Sequence, residues 1–239
     1  MSFIGLERSR VLSGTGFFQQ EEAPCTYIKI HEDLDVSLGV FIIKPGFKIP
    51  LHNHPKMHGL LKVVHGQVDI SVYTKTNLTE ATEIPPFLRD RTHLIDQGFV
   101  FPTTKEKLKS ITSGNEAVIL SPGNLTTFLF LGEKSVKSQR TVFLFLSELK
   151  NYHEIRNVGD GHAAFFDILA PPYLMRGDEE SLHIEEEELR ECHFFSEINH
   201  FNNNIHSDDK SFVWLRRVKS PDDYFCDTEA YLGPQIHSE

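Results

Sequence analysis

The sequence predicts an all-β protein, an antiparallel sandwich or barrel, on three observations. Apolar residues come in short runs rich in β-branched and aromatic side chains. Glycine and proline punctuate those runs at close intervals. Phenylalanine is frequent, at 19 of 239 residues, which suits an aromatic interior. A βαβ fold would need helical periods between the strands, and they do not alternate that way here. The length is enough for one domain with its own core.

Residues 1–24 read as a loosely ordered lead, and residues 25–239 as a single domain. "TYIKIHE" (26–32) alternates. "VSLGVFIIKPG" (36–46) is β-branched and stops at Pro45-Gly46, as a strand does. In "LLKVVHGQVDISVYT" (60–74), Val68, Ile70 and Val72 alternate with Gln67, Asp69 and Ser71, the period of a half-buried strand. Gly66 predicts a tight hairpin connection. Residues 75–105 are polar and poorly periodic, a long excursion with one short strand expected at "HLIDQGFV" (93–100). "LKSITSG" and "NEAVILSPG" suggest another hairpin over 108–123. "TTFLFLG" and "RTVFLFLSEL" read as strands joined by a charged link. "YHEIRNVGDGHAAFFDILAPPY" (152–173) reads strand, glycine turn, strand and a Pro-Pro stop. The acidic "DEESLHIEEEELREC" (178–192) suits a short helix or a solvated loop. "CHFFSEI" and "SFVWLRRV" add two strands.

A net charge of −10 argues against a nucleic-acid or anionic-membrane surface. No apolar run is long enough to span a bilayer, and the first residues lack a signal-peptide pattern. Cys25, Cys192 and Cys226 are odd in number and widely spaced, with no Cys-x-x-Cys motif. A soluble protein of a reducing, cytoplasmic compartment is the expectation. No Rossmann, P-loop or nucleophile-elbow pattern is present.

The chemistry concentrates in "IPLHNHPKMHGLLKVVHG" (49–66), with His52, His54, His58 and His65. In a strand, residues two apart share a face, so His52 and His54 present two imidazoles side by side while Asn53 points away. Such a pair suits iron, zinc, copper or nickel, with a third ligand from an adjacent strand. It is also compatible with an ordinary surface pair. His58 reads as structural, or as lining the pocket or orienting a ligand. His65 beside Gly66 reads as solvent-exposed.

The spacing of Gly46, His52-x-His54 and Gly66 resembles the first motif of the cupin superfamily. No glutamate follows the second histidine, so the resemblance implies an all-histidine site. "SLGVFIIKPGFKIPLHNHPKMHGLLKVVHGQVDIS", "NYHEIRNVGDGHAAFFDILAPPY" and "VWLRRVKSPDDYFCDTEAYLGP" together resemble the cysteamine (2-aminoethanethiol) dioxygenase and plant cysteine oxidase family over most of the chain from Tyr27. The resemblance implies a cupin double-stranded β-helix, a jelly-roll barrel with short peripheral helices. It implies Fe(II) held by His52, His54 and His153, with His162 left out of the site. The substrates implied are O2 and either cysteamine or peptides and proteins with an N-terminal cysteine, turned to a sulfinate. A monomer with no nucleic-acid or membrane partner is the separate expectation.

Asp167, in "DILAPPY", would be a buried acceptor bracing the sheet, or would orient a ligand imidazole or bind the substrate amine. Tyr173 would be a pocket phenol or a core aromatic. Leu60, Leu61 and Phe166 are candidates for excluding water. Two departures from the family stand out. About 25 extra residues fall at 124–147, either an added hairpin beside the site or a product of alternative splicing or of a faulty gene model; displacement of the His153 strand by them would leave a non-catalytic or differently specific cupin. "CHFF" replaces the animal Cys-His-Tyr-Tyr, so Phe194 cannot crosslink to Cys192, which then reads as a buried, inert thiol.

Overall fold

The computed structural model describes residues 22–77, 84–112, 117–120, 142–143, 151–174, 189–198 and 210–234. Most of the predicted lead, all but two residues of the predicted insertion, and the acidic stretch up to residue 188 lie outside the described residues. Among the described residues thirteen strands run β1 Cys25–Glu32, β2 Ser37–Ile43, β3 Lys48–Asn53, β4 His58–His65, β5 Gln67–Lys75, β6 Val100–Thr112, β7 Ala117–Leu120, β8 Val142–Phe143, β9 Tyr152–Asn157, β10 Ala163–Ala170, β11 Phe194–Ile198, β12 Lys210–Val218 and β13 Cys226–Glu229. One α-helix, α1 His93–Asp96, and a 3-10 turn over Pro86–Leu88 are the helical elements among the described residues. None of these is long and apolar enough to cross a membrane.

The strands form two sheets. The first has the order β13-β1-β2-β10-β4-β7-β8. The second, β11-β12-β6-β5-β9-β3, closes on itself where β11 meets β3. This is the all-β, jelly-roll-like barrel that the sequence leads one to expect. The alternating apolar residues decide which face turns inward: Phe41, Ile43, Leu61, Val63 and Phe165 from the first sheet meet Ile49, Val68, Ile70, Val72 and Ile155 from the second. Phe41 and Phe165 stack at 5.3 Å across the β2–β10 pair. Each such side chain removed from water stabilises the fold by about 1.5–3 kcal/mol.

Three local expectations differ from the structure. Gly66 does not close a hairpin. It passes the chain from β4 in the first sheet to β5 in the second. Its φ is +70°, and a Cβ there would lie 2.5 Å from the His162 carbonyl oxygen, so both conformation and space require glycine. Within the hairpin expected over 108–123, the described residues 108–112 and 117–120 do not pair with each other. The β6 strand joins β5 and β12, and β7 joins β4 and β8. Finally, "HLIDQGFV" is not one strand. His93–Asp96 is helical, with Asp96 N–H on the Thr92 carbonyl and Gln97 N–H on that of His93, and Gly98 at φ +71° separates it from β6. Adjacent Leu94 and Ile95 both pack on the Leu88–Val100–Trp214 cluster, which an extended segment with alternating faces could not achieve.

Candidate metal centre

The second sheet brings three histidines together through one irregularity. Ile49 pairs with Ile155 and His52 with His153, so two residues of β3, Pro50 and Leu51, stand opposite the single Glu154 of β9. This is a bulge, and proline suits it because no ladder N–H is needed there. The bulge turns the Pro50 carbonyl back onto His52, whose Nδ1–H donates to it at 2.8 Å. His54 follows just past the strand. Its backbone N–H is held by the Asn151 carbonyl and side chain, each at 3.1 Å. Asn53 points away, as alternation requires, and its Oδ1 accepts the His193 N–H.

The three rings converge with centroids 4.4 Å apart for His52–His153, 4.8 Å for His54–His153 and 4.9 Å for His52–His54. One nitrogen from each lies within 4.8 Å of the others, and all three residues are buried. Burial is the chief reason each stays neutral. It lowers His52 to about 4 and holds His54 and His153 well below the usual imidazole range. Neutral imidazoles are the form that binds a metal.

Hydrogen bonds fix which nitrogen is available. With Nδ1–H of His52 on a carbonyl, the Nε2 lone pair is free. Tyr173 does the same for His54. Its hydroxyl donates to the Asn53 carbonyl at 2.8 Å and so accepts from His54 Nδ1–H, also at 2.8 Å. His153 Nδ1 is buried with no partner among the described residues, an arrangement that costs free energy unless something occupies its lone pair. Three neutral nitrogens with one unsatisfied could hold a borderline divalent cation.

The imidazoles line a cavity whose opposite wall comes from the first sheet: Tyr27, Gly39, Phe41, Leu61, Phe165 and Asp167. The free space is about 30 Å³, room for one or two water-sized groups. Asp167 faces into it. Desolvation pushes its carboxyl up to about 7. Cys192 lines the cavity together with Phe194 and Tyr173, and burial raises its thiol to about 12, so it stays protonated at neutral pH.

The predicted residues divide cleanly. His52, His54, His153, Asp167, Tyr173 and Leu61 meet at the cavity. His58, His65 and His162 are exposed. Leu60 and Phe166 do not line it. Alternation gives the inward positions to Leu61 and Phe165. Sequence reasoning missed Tyr27, Ser37 and Tyr224, which also line it. One signal was available: Gly39 interrupts an otherwise continuous apolar strand, and a Cβ there would stand 2.3 Å from the Tyr27 ring. Burial pushes the Tyr27 phenol up to about 12.

A family model described as PCO_ADO matches residues 4–236. The chain is 34% identical over 217 residues to 2-aminoethanethiol dioxygenase of Mus musculus, spanning 89% of this chain and 72% of that protein. It is 32% identical over 220 residues to 2-aminoethanethiol dioxygenase of Homo sapiens, spanning 89% and 68%. Over 59 residues it is 36% identical to plant cysteine oxidase 1 of Arabidopsis thaliana, 25% of this chain and 20% of that one.

Proposed function

The chain belongs to the PCO_ADO family and is a thiol dioxygenase, and from that premise we propose that it oxidises a thiol set two carbons from an ammonium, R–SH plus O2 giving R–SO2H, at an Fe(II) held by His52, His54 and His153. The observation that carries this reading is the facing of three neutral imidazoles and one desolvated carboxylate across a small cavity. Bound there, Fe(II) supplies coordination positions for thiolate and dioxygen and a positive charge that favours the thiolate.

The protein's own residues do the rest. His52 and His54 are oriented by Pro50 and Tyr173, so Tyr173 acts through the metal ligand. Asp167 takes the substrate ammonium. No hydrogen bond from a described residue is made to its carboxylate, and a cation would supply the missing partner. Leu61, Phe165 and Phe41 exclude water. The substrate is an aminoethanethiol group, either free as cysteamine or as the first residue of a longer chain. A reducing, cytoplasmic site of action accords with three free thiols.

Mass spectrometry tests this. Iron-loaded protein in air is incubated with cysteamine and, separately, with a peptide bearing an N-terminal cysteine. Expected is a gain of two oxygen atoms that depends on Fe(II). Product from cysteamine alone restricts the reading to small thiols. No product from either, with iron bound, overturns the substrate assignment. No product and no bound iron overturns the metal site.

A further inference from the structure

Two cysteines outside the metal centre stand opposite one another. The edge strand β13 pairs in parallel with β1, and its register sets Cys25 against Cys226. The two are nearly the whole chain apart in sequence. Paired residues project to the same face of a sheet, with Cα atoms about 5 Å apart, inside the range that disulfides span. Cys25 is buried in the main core and Cys226 packs half-exposed against it. Cys25 Sγ reaches the Thr26 carbonyl at 3.8 Å, and the Tyr224 hydroxyl lies 3.4 Å from Cys226 Sγ. Residues 227–229 beyond it are exposed, which opens the Cys226 side to solvent.

The pair also has a position that matters. Tyr27 lies two residues after Cys25 and Tyr224 two residues before Cys226, and both tyrosines form part of the cavity wall. The strand that carries Cys226 is four residues long and, among the described residues, paired on one side only. A covalent link at this point would tie the cavity's two tyrosines into one unit.

We infer that Cys25 and Cys226 form a reversible disulfide, a modification site that staples β13 to β1 when small aliphatic disulfides accumulate. The Cys226 thiolate, which neighbouring Cys25 and Tyr224 favour, attacks a sulfur of R–S–S–R and expels one R–SH, its proton taken from solvent. Cys25 then gives up its proton and attacks Cys226 Sγ, expelling the second R–SH. Two protein thiols are oxidised and one small disulfide is reduced to two thiols. Cys192, held protonated near Tyr173 on another part of the wall, takes no part. If the proposed activity holds, the oxidant is the oxidised form of the same thiol class that the enzyme consumes, and the staple reads the state of its substrate pool. The chemistry of the pair itself does not depend on that reading.

The test uses the full chain in buffers of graded oxidised-to-reduced glutathione, quenched, unfolded and alkylated. Wild type is expected to lose two of its three alkylatable thiols and about 2 Da at the oxidising end. Peptide mapping should then find Cys25 joined to Cys226 and Cys192 alkylated. Oxidation should raise the thermal midpoint of wild type by about 5–10 °C, and leave Cys25→Val and Cys226→Ser unshifted. Three alkylatable thiols at every ratio, or a link involving Cys192, would overturn the inference. None of these readouts requires turnover, so failure of the dioxygenase reading and failure of the staple remain separable.

Discussion

The two walls of the cavity are built on different terms. On the β3 and β9 wall two of the three imidazoles are tied down by hydrogen bonds, and His153 keeps a buried Nδ1 without a partner among the described residues. His52 is locked by Pro50, His54 by Tyr173, and the register opposite His153 is set by a bulge. On the β1, β2 and β10 wall, Asp167 offers a carboxylate to which no described residue gives a hydrogen bond, beside a tyrosine that fits only because residue 39 has no side chain. The first wall presents its imidazoles in one geometry, with one nitrogen left open. The second carries a desolvated carboxyl group at the cavity. An oriented set on one side and an adaptable acid on the other suit a site where one partner is resident and the other passes through.

The sharpest way to break that contrast is to remove a ligand from the rigid wall. His52→Ala, His54→Ala or His153→Ala should each abolish stoichiometric iron and lower turnover by about 1,000-fold or more, measured by metal analysis and sulfinate formation. His162→Ala should change neither, since that residue is exposed. Iron near wild type in His153→Ala would show that β9 does not supply a ligand.

Acid attacks the same wall through protonation. His52 is lowered to about 4 and the other two lie well below the ordinary value. Between that range and about 6.5 the unfolded chain binds protons that the folded one refuses. Stability therefore falls as pH drops through this window. For His52 alone the loss is about 3 kcal/mol. Urea denaturation of the metal-free protein at pH 7 and pH 5 checks this. A midpoint that does not fall would mean the trio is not desolvated.

Tyr173→Phe tests the orientation of one ligand without deleting it. The His54 ring loses its Nδ1 acceptor while the cavity keeps its shape. Metal affinity should fall about 10–100-fold, read by competition with a chelator, with iron still bound at high concentration. An unchanged affinity would return Tyr173 to the role of a core aromatic.

Much of this was legible in the chain and some could not be. The period of two in residues 67–72 and the spacing of His52 and His54 fixed strand identity and a shared face before any fold was known. His153 was reached only through resemblance, because which strand lies beside β3 is a tertiary fact with no local trace. The hairpins expected at Gly66 and over 108–123 failed for the same reason. Glycine marks a turn, but whether the chain returns to its own sheet or crosses to the other is decided by distant partners. Tyr27 and Tyr224 were hidden because an aromatic on an inward position reads as core, whether or not a cavity lies beside it. Cys25 and Cys226 are so far apart in sequence that spacing carried no hint of their pairing.

Asp167→Asn is the smallest change and separates the walls most directly. The amide keeps the shape and loses the charge. For a thiol that carries an ammonium, KM should rise about 10-fold, the scale of one charge-assisted hydrogen bond. For an aliphatic thiol without an amine it should stay near wild type, and iron content should not move. Stability should go the other way. The carboxyl is raised to about 7 from an unfolded value near 3.8, so across that interval the folded chain holds a proton that the unfolded one has released. Stability conferred on the protonated form is thus lost as pH rises toward 7, the opposite sign to the histidines. Asparagine, which never ionises, should make the protein more stable than wild type above pH 7, by about 1–3 kcal/mol. A variant that loses stability, and loses both thiols' turnover equally, would make Asp167 a brace of β10 and leave the substrate ammonium without a partner on that wall.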